Sequence, residues 1–234
     1  MTEDSMWLLL HGTPLTPKVW DGVRPHLEKE RPVYAPLLPT PSTAEGAQRE
    51  IAGVILASLS PPSGLLHVVG HSFGAQVAIE IALMAPTRIG SLTLLCSRAT
   101  PFPTFASTAT SLRDGISPDP EASLHRWFRP DEVAANGEVV RYARACIVGA
   151  NRTIWADELD AIARYNQLTA LTVIEAPTAV IAAAADHVGT PEEMSLIAGA
   201  IPDATYEVLA DASHMSPFLS SASLLERLRS AASR

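Results

Sequence analysis

The stretch Leu65-Leu66-His67-Val68-Val69-Gly70-His71-Ser72-Phe73-Gly74-Ala75 joins an apolar run to a serine set between glycines. Residues 65–69 read as a buried strand, and residues 75–84 are small and apolar with helical spacing. The serine therefore falls on a sharp strand-to-helix turn. Glycines flank it because strand and helix pass too close for side chains. Such a turn lifts the hydroxyl out of the sheet and leaves the N–H of Phe73 at a helix start without an intrahelical partner. That donor, aided by the helix dipole, suits a developing oxyanion. The alternative is a glycine-rich turn with a capping serine, so the rest of the chain has to decide.

Working outward, short apolar runs at 6–10, 32–35, 92–95, 179–183 and 205–209 also read as buried strands. Helical spacing falls between most of them, at 48–59, 76–84, 192–200 and 224–231. Strand and helix alternating in this way predict a parallel sheet covered on both faces. The alternation breaks at about 98–176, which opens with Pro101, Pro103 and a Ser/Thr-rich loop. Helical candidates follow at 121–127, 139–148 and 155–165. An all-helical insertion there would cap the strand ends, where ligands of such sheets bind. The expectation is a single domain spanning 1–234.

A serine hydroxyl needs a base within hydrogen-bond reach. His214 is the histidine in a late loop at the carboxyl end of a strand, whereas His11, His67 and His71 lie beside or within strands and turns. The base needs a carboxylate to fix its tautomer. Asp186 ends the run 179–185, again past a strand; Asp203 and Asp211 read as turn residues. The order Ser72, Asp186, His214 is the one expected of this constellation. Directly after the first strand, His11-Gly12-Thr13-Pro14 allows a close backbone turn in which the N–H of Thr13 is a second oxyanion donor. Pro14 has no N–H to offer.

The bulk composition narrows the classes. Apolar residues make up 47% of the chain and charged ones 18%, which excludes a disordered chain. No apolar run approaches the roughly 20 residues that cross a bilayer. The start at residues 1–4 is acidic, unlike a secretory signal, and Cys96 and Cys146 suit a reduced compartment, so the cytoplasm is expected. The net charge of −8 comes without a Lys/Arg run, which argues against nucleic acid. No metal-type spacing and no phosphate loop is present, so no cofactor is expected.

With these residues the chain resembles the α/β-hydrolase family over nearly its whole length, in His-Gly after the first strand, Gly-His-Ser-Phe-Gly, and Asp and His after the last two strands. Trp20 matches an aromatic frequent in that family. The resemblance implies an α/β-hydrolase fold. In it Ser72, His214 and Asp186 act as nucleophile, base and acid, Thr13 and Phe73 supply oxyanion N–H groups, and the insertion forms a helical lid. Only ten residues precede His11, where the family usually has two antiparallel strands. A mostly parallel sheet of about six strands follows, with 32–35 at an edge, where Pro32 and Pro36 fit. The exposed edge suggests a homodimer.

The runs Arg126-Trp127-Phe128-Arg129-Pro130 and Pro177-Thr178 are similar to the 3-oxoadipate enol-lactonase branch. Ala75 departs from it, where a second glycine is usual, as does Pro14. Trp127, Phe128 and Trp155 either line an apolar pocket or belong to the core. The implied activity is hydrolysis of a small carboxylic ester or lactone. The same triad also serves C–C bond hydrolysis or cyanohydrin cleavage, and a non-catalytic binding module is the remaining alternative.

Overall fold

The computed structural model describes residues 5–59, 64–116 and 118–234; the acidic start at 1–4 lies outside them. The chain runs β1 (Ser5–Leu10), α1 (Arg24–Leu27), β2 (Val33–Tyr34), α2 (Ala47–Ser58), β3 (Leu65–His71), α3 (Phe73–Met84) and β4 (Ile89–Leu95). A helical stretch follows, with α4 (Thr104–Arg113), α5 (Pro120–Trp127), α6 (Pro130–Ala135), α7 (Glu138–Gly149) and α8 (Arg152–Arg164). The sheet then resumes with β5 (Thr178–Ala183), α9 (Pro191–Ala200), β6 (Thr205–Leu209) and α10 (Ser221–Ala232).

Among the described residues six strands form one parallel sheet in the order β2-β1-β3-β4-β5-β6. From β1 the chain goes first to β2 on one side and then returns to β3 on the other. This reversal leaves a crevice at the carboxyl ends of β1 and β3, the usual ligand position in such sheets. Register makes it specific: Leu10 pairs with Gly70, so the turns after β1 and β3 emerge side by side.

Strands β1, β3, β4 and β5 are buried along almost their whole length, alternate residues included. That pattern requires cover on both faces. Helix α3 packs on β3 and β4, α2 packs on α3, and α10 packs on β4. At one edge β2 is only two residues long, and Pro32 contributes what a proline can, a carbonyl that accepts the N–H of Trp7 at 2.9 Å.

Two elements differ from the sequence expectation. Residues 205–209 form the opposite edge and are mostly exposed rather than buried. Their β-branched and aromatic composition suits a pleated surface with a single neighbouring strand. The Ser/Thr-rich stretch after Pro103 is helix α4 rather than loop. Ser107, Thr110 and Ser111 turn their hydroxyls back onto the carbonyls of Thr104, Ala106 and Ser107, so they do not compete with the helix. Phe105, Ala109 and Leu112, at helical spacing, form the buried face that packs on α8. The stem of the insertion is tied across its two ends, Phe102 N–H to Ala163 O at 3.2 Å and Gln167 N–H to Ala99 O at 2.9 Å.

Candidate active site

Ser72 links β3 to α3 with φ 54° and ψ −119°, a left-handed conformation that side chains rarely adopt. The chain enforces it from several sides. A Cβ at Gly70 would collide with the backbone of Ala75, and one at Gly74 with the carbonyls of Leu10 and His11. The Ser72 N–H donates to Leu95 O at 3.0 Å, while its carbonyl accepts from Ala75 N–H at 3.0 Å and Ser97 Oγ at 2.8 Å. His71 and Phe73 are buried on either side, and Ser72 alone is partly open. Strain of this kind persists only where its surroundings over-determine it.

The turn after β1 lies against this serine. A Cβ at Gly12 would stand 3.0 Å from Ser72 Cβ and 3.0 Å from His71 Nδ1, tighter than ordinary contact, so any side chain there presses on both. Among the described residues no hydrogen bond uses the N–H of Thr13 or of Phe73. Both amides are available to an oxygen held beside Ser72.

His214 follows β6 and Asp186 follows β5, and the structure brings them together. His214 Nδ1 lies 2.8 Å from Asp186 Oδ2, with the carboxylate side chain fully buried. The other carboxylate oxygen accepts the N–H groups of Val188 at 2.7 Å and Gly189 at 3.1 Å. Burial pushes the Asp186 carboxyl up, but the His214 charge and hydrogen bond and the two amides together hold it below its ordinary value. An ionised carboxylate accepts only, so Nδ1 carries a proton, and in the neutral imidazole Nε2 then presents the lone pair. Asp203 and Asp211 sit in turns with positive φ, as their spacing implied.

Ser72, His214 and Thr13 line one cavity of about 140 Å³, walled on the insertion side by Trp127, Trp155 and Leu159. No hydrogen bond joins the Ser72 hydroxyl to His214 among the described residues; the two groups face a common space, as is frequent in unliganded sites. Trp127 and Trp155 are therefore brought to the site. Phe128 is not: it caps α5, is buried in the core cluster and does not line the cavity.

Three residues that sequence reasoning did not single out shape the site. His71 is fully buried, and Nε2 donates to the His214 carbonyl at 3.0 Å. Burial first, then the nearby His214 charge, lowers its pKa to about 3, so it stays neutral. Glu132 of α6 accepts from Ser213 Oγ at 2.9 Å and Ser216 Oγ at 2.7 Å, pinning the loop that carries His214 to the insertion. Glu158 of α8 is buried and accepts a hydrogen bond from the Thr13 hydroxyl. Burial above all, opposed by that bond and reinforced by Asp157, raises its pKa to about 7.

The arrangement joins a strained serine, a histidine oriented by a carboxylate and two unused amides, which is the equipment for attack on a carbonyl. A family model described as "Alpha/beta hydrolase family" matches residues 7–227. A pimeloyl-[acyl-carrier protein] methyl ester esterase of Methylococcus capsulatus is 32% identical over 158 residues, 61% of this chain and 59% of that protein. The protein of the same name from Aromatoleum aromaticum is 29% identical over 241 aligned positions, 91% of this chain and 92% of its own. The solved enol-lactonase of Burkholderia xenovorans superposes with a TM-score of 0.85 over 99% of this chain and 92% of that one, at 20% identity, a likeness of fold.

Proposed function

The chain belongs to the alpha/beta hydrolase family, and from that premise we propose that it hydrolyses carboxylic esters through Ser72, with His214 as base and Asp186 as its supporting carboxylate. The observation that carries this reading is the single cavity onto which Ser72, His214 and Thr13 all face, with Asp186 bonded to the far nitrogen of the imidazole. In the first step His214 Nε2 takes the Ser72 proton as Oγ attacks the ester carbonyl. The N–H groups of Thr13 and Phe73 hold the resulting oxyanion. Collapse expels the alcohol, which receives the proton from His214. Water, deprotonated by the same nitrogen, then releases the acid and restores Ser72. The helices α4–α8 act as the lid over the site, which limits bulk water around the oxyanion while admitting the water that deacylation consumes.

Size supports an ester with one short arm. A cavity of about 140 Å³ is close in size to one of about 150 Å³ that binds benzene. The two relatives named methyl ester esterases act, by that name, on a one-carbon alcohol, and a methyl ester is the substrate class proposed here. Titration of acid release from methyl, ethyl, butyl and octyl esters of one acid tests this, with Ser72→Ala as the blank. Serine-dependent release that falls as the alcohol lengthens is expected. Release that survives in Ser72→Ala, or that rises with alcohol length, contradicts it.

A further inference from the structure

The turn after β1 is held both from within and from the insertion. Within it, the Gly12 carbonyl accepts the Leu15 N–H at 3.0 Å. His11 Nε2 accepts the Leu38 N–H at 3.2 Å, so in this neutral ring Nδ1 carries the proton and donates to the same carbonyl at 2.9 Å. The peptide between Gly12 and Thr13 is planar and trans, so fixing its carbonyl sends the Thr13 N–H out from the opposite edge. From the insertion, Tyr142 of α7 grips Thr16. Its hydroxyl accepts the Thr16 N–H and donates to the Thr16 carbonyl, both at 2.9 Å. Glu158 of α8 takes the remaining handle on the turn, the Thr13 hydroxyl.

Glu158 is costly where it stands. It is buried, and among the described residues Thr13 is its one hydrogen-bond partner. The Arg113 guanidinium of α4 goes instead to Asp157 at 2.7 Å and Asp160 at 2.6 Å. A buried carboxyl without a cation detracts from stability, and an apolar side chain would fill the place at lower cost. What the carboxyl does provide is a hold on Thr13, which lines the cavity of Ser72 with its N–H unused. Burial keeps much of that carboxyl protonated at neutral pH, so no fixed negative charge stands behind the oxyanion.

We propose that Glu158 is a positioning residue for the oxyanion site: by holding the Thr13 side chain to α8, it keeps the Thr13 N–H directed at the oxygen that attack by Ser72 leaves negative. The Gly12 carbonyl fixes the peptide plane, and Glu158 fixes the side chain that leaves the next Cα. Rotation about the bond between them is thereby locked. Helix α8 then does more than cover the site; it completes it. The proposal rests on the reading of Ser72 as nucleophile and Thr13 as oxyanion donor, and its test separates the two.

The probe is an alkyl fluorophosphonate. Ser72 Oγ, giving its proton to His214, displaces fluoride at phosphorus while the P=O oxygen takes up the charge that the oxyanion amides serve. Saturation kinetics of labelling separate the limiting rate kinact from the half-saturation constant KI. They are measured for the wild type, Thr13→Val, Glu158→Met, the double variant and Glu158→Gln. Losing an oxyanion donor outright costs about 10²–10³ in rate, so a donor turned aside is expected to cost about tenfold. Thr13→Val keeps the N–H and deletes the hydroxyl. It and Glu158→Met should each lower kinact about tenfold, with KI within about twofold of the wild type. The double variant should lie within about twofold of the slower single one, because both changes delete the same bond. Glu158→Gln keeps an acceptor for the hydroxyl and should restore kinact to within about threefold of the wild type. A double variant slower by about a hundredfold, the product of independent effects, overturns the positioning role and leaves Ser72 as nucleophile. Wild-type labelling rates in Glu158→Met, or a Glu158→Gln as slow as Glu158→Met, do the same. A folded wild type whose Ser72 is never labelled removes the nucleophile reading, and with it the oxyanion that Glu158 would serve.

Discussion

The imidazole of His71, the residue before the candidate nucleophile, donates from Nε2 to the main-chain carbonyl of His214, the candidate base, over 3.0 Å, and the two rings lie 4.7 Å apart. A carbonyl only accepts, so His71 carries its proton on Nε2, and Nδ1 is left without a partner among the described residues. The strand-to-helix turn and the loop after β6 are thereby joined by one buried bond. His71 does not face the cavity; it acts through the position of His214.

His71→Phe keeps a ring of similar shape and deletes the donor. The His214 carbonyl then loses a buried partner, at a cost of about 1–3 kcal/mol. We expect kcat to fall about tenfold with KM within twofold, together with a loss of stability of that order. Steady-state kinetics and urea unfolding read the two separately. An unchanged kcat in a destabilised protein would reduce His71 to packing.

Asp186→Asn preserves the acceptor for Val188 and Gly189 but removes the charge that fixes the His214 tautomer. The expected fall in kcat is on the order of 10⁴. The acid limb of stability changes too. The Asp186 carboxyl sits below its ordinary 3.8 in the fold, so its contribution is present above 3.8 and lost as pH falls through the folded value. Thermal unfolding from pH 6 to pH 2.5 should therefore be less steep with pH in Asp186→Asn than in the wild type.

Glu158 carries the opposite sign. Its pKa is raised from 4.5 to about 7, so between those values the folded protein holds a proton that the unfolded chain has lost, and stability declines as pH rises through that window. Asp157 on the same helix reinforces the shift. In the cavity that Glu158 lines between the turn after β1 and α7, His11 is held neutral by burial, with its pKa lowered to about 4, and burial raises those of Tyr142 and Cys146; Lys18 lines it too. Glu158→Gln should be more stable than the wild type at pH 8, by up to about 3 kcal/mol, and no more stable at pH 4.5. Equal melting temperatures at both pH values would remove Glu158 as a buried titrating group.

Ser72 at φ 54° predicts an unusual stability order. Ser72→Ala retains the conformational cost of a side chain, and Ser72→Gly relieves it. We expect the glycine variant to be the more stable of the two by about 1 kcal/mol, despite the usual entropic disadvantage of glycine. Chemical denaturation of the two inactive proteins measures the difference directly.

The legible parts of this protein were those coded by neighbours in sequence. The run 65–69 followed by Gly70-His71-Ser72-Phe73-Gly74 announced a strand, a turn and a helix, because Gly70 and Gly74 each sit where a Cβ meets backbone. The edge position of 32–35 was implied by the family resemblance, and two prolines fitted it. The order of Ser72, Asp186 and His214 named residues that the fold then gathers at one end of the sheet. Helix α4 was hidden because Ser and Thr favour loops unless their hydroxyls fold back on the helix. The exposure of β6 depends on how many strands lie beyond it, which its own composition does not encode. His71, Glu132 and Glu158 gain their importance only from partners 143, 81 and 145 residues away. No local pattern could signal those contacts.

A Ser72 activated by His214 in their common pocket should react covalently with organophosphorus electrophiles. Treatment with an alkyl fluorophosphonate, followed by peptide mass analysis, reads this reaction at the residue itself. We expect one phosphonyl adduct on the peptide carrying Ser72, absent from Ser72→Ala and formed at least a hundredfold more slowly in His214→Ala. An unmodified Ser72 in folded wild-type protein, or an adduct rate indifferent to His214, would contradict it.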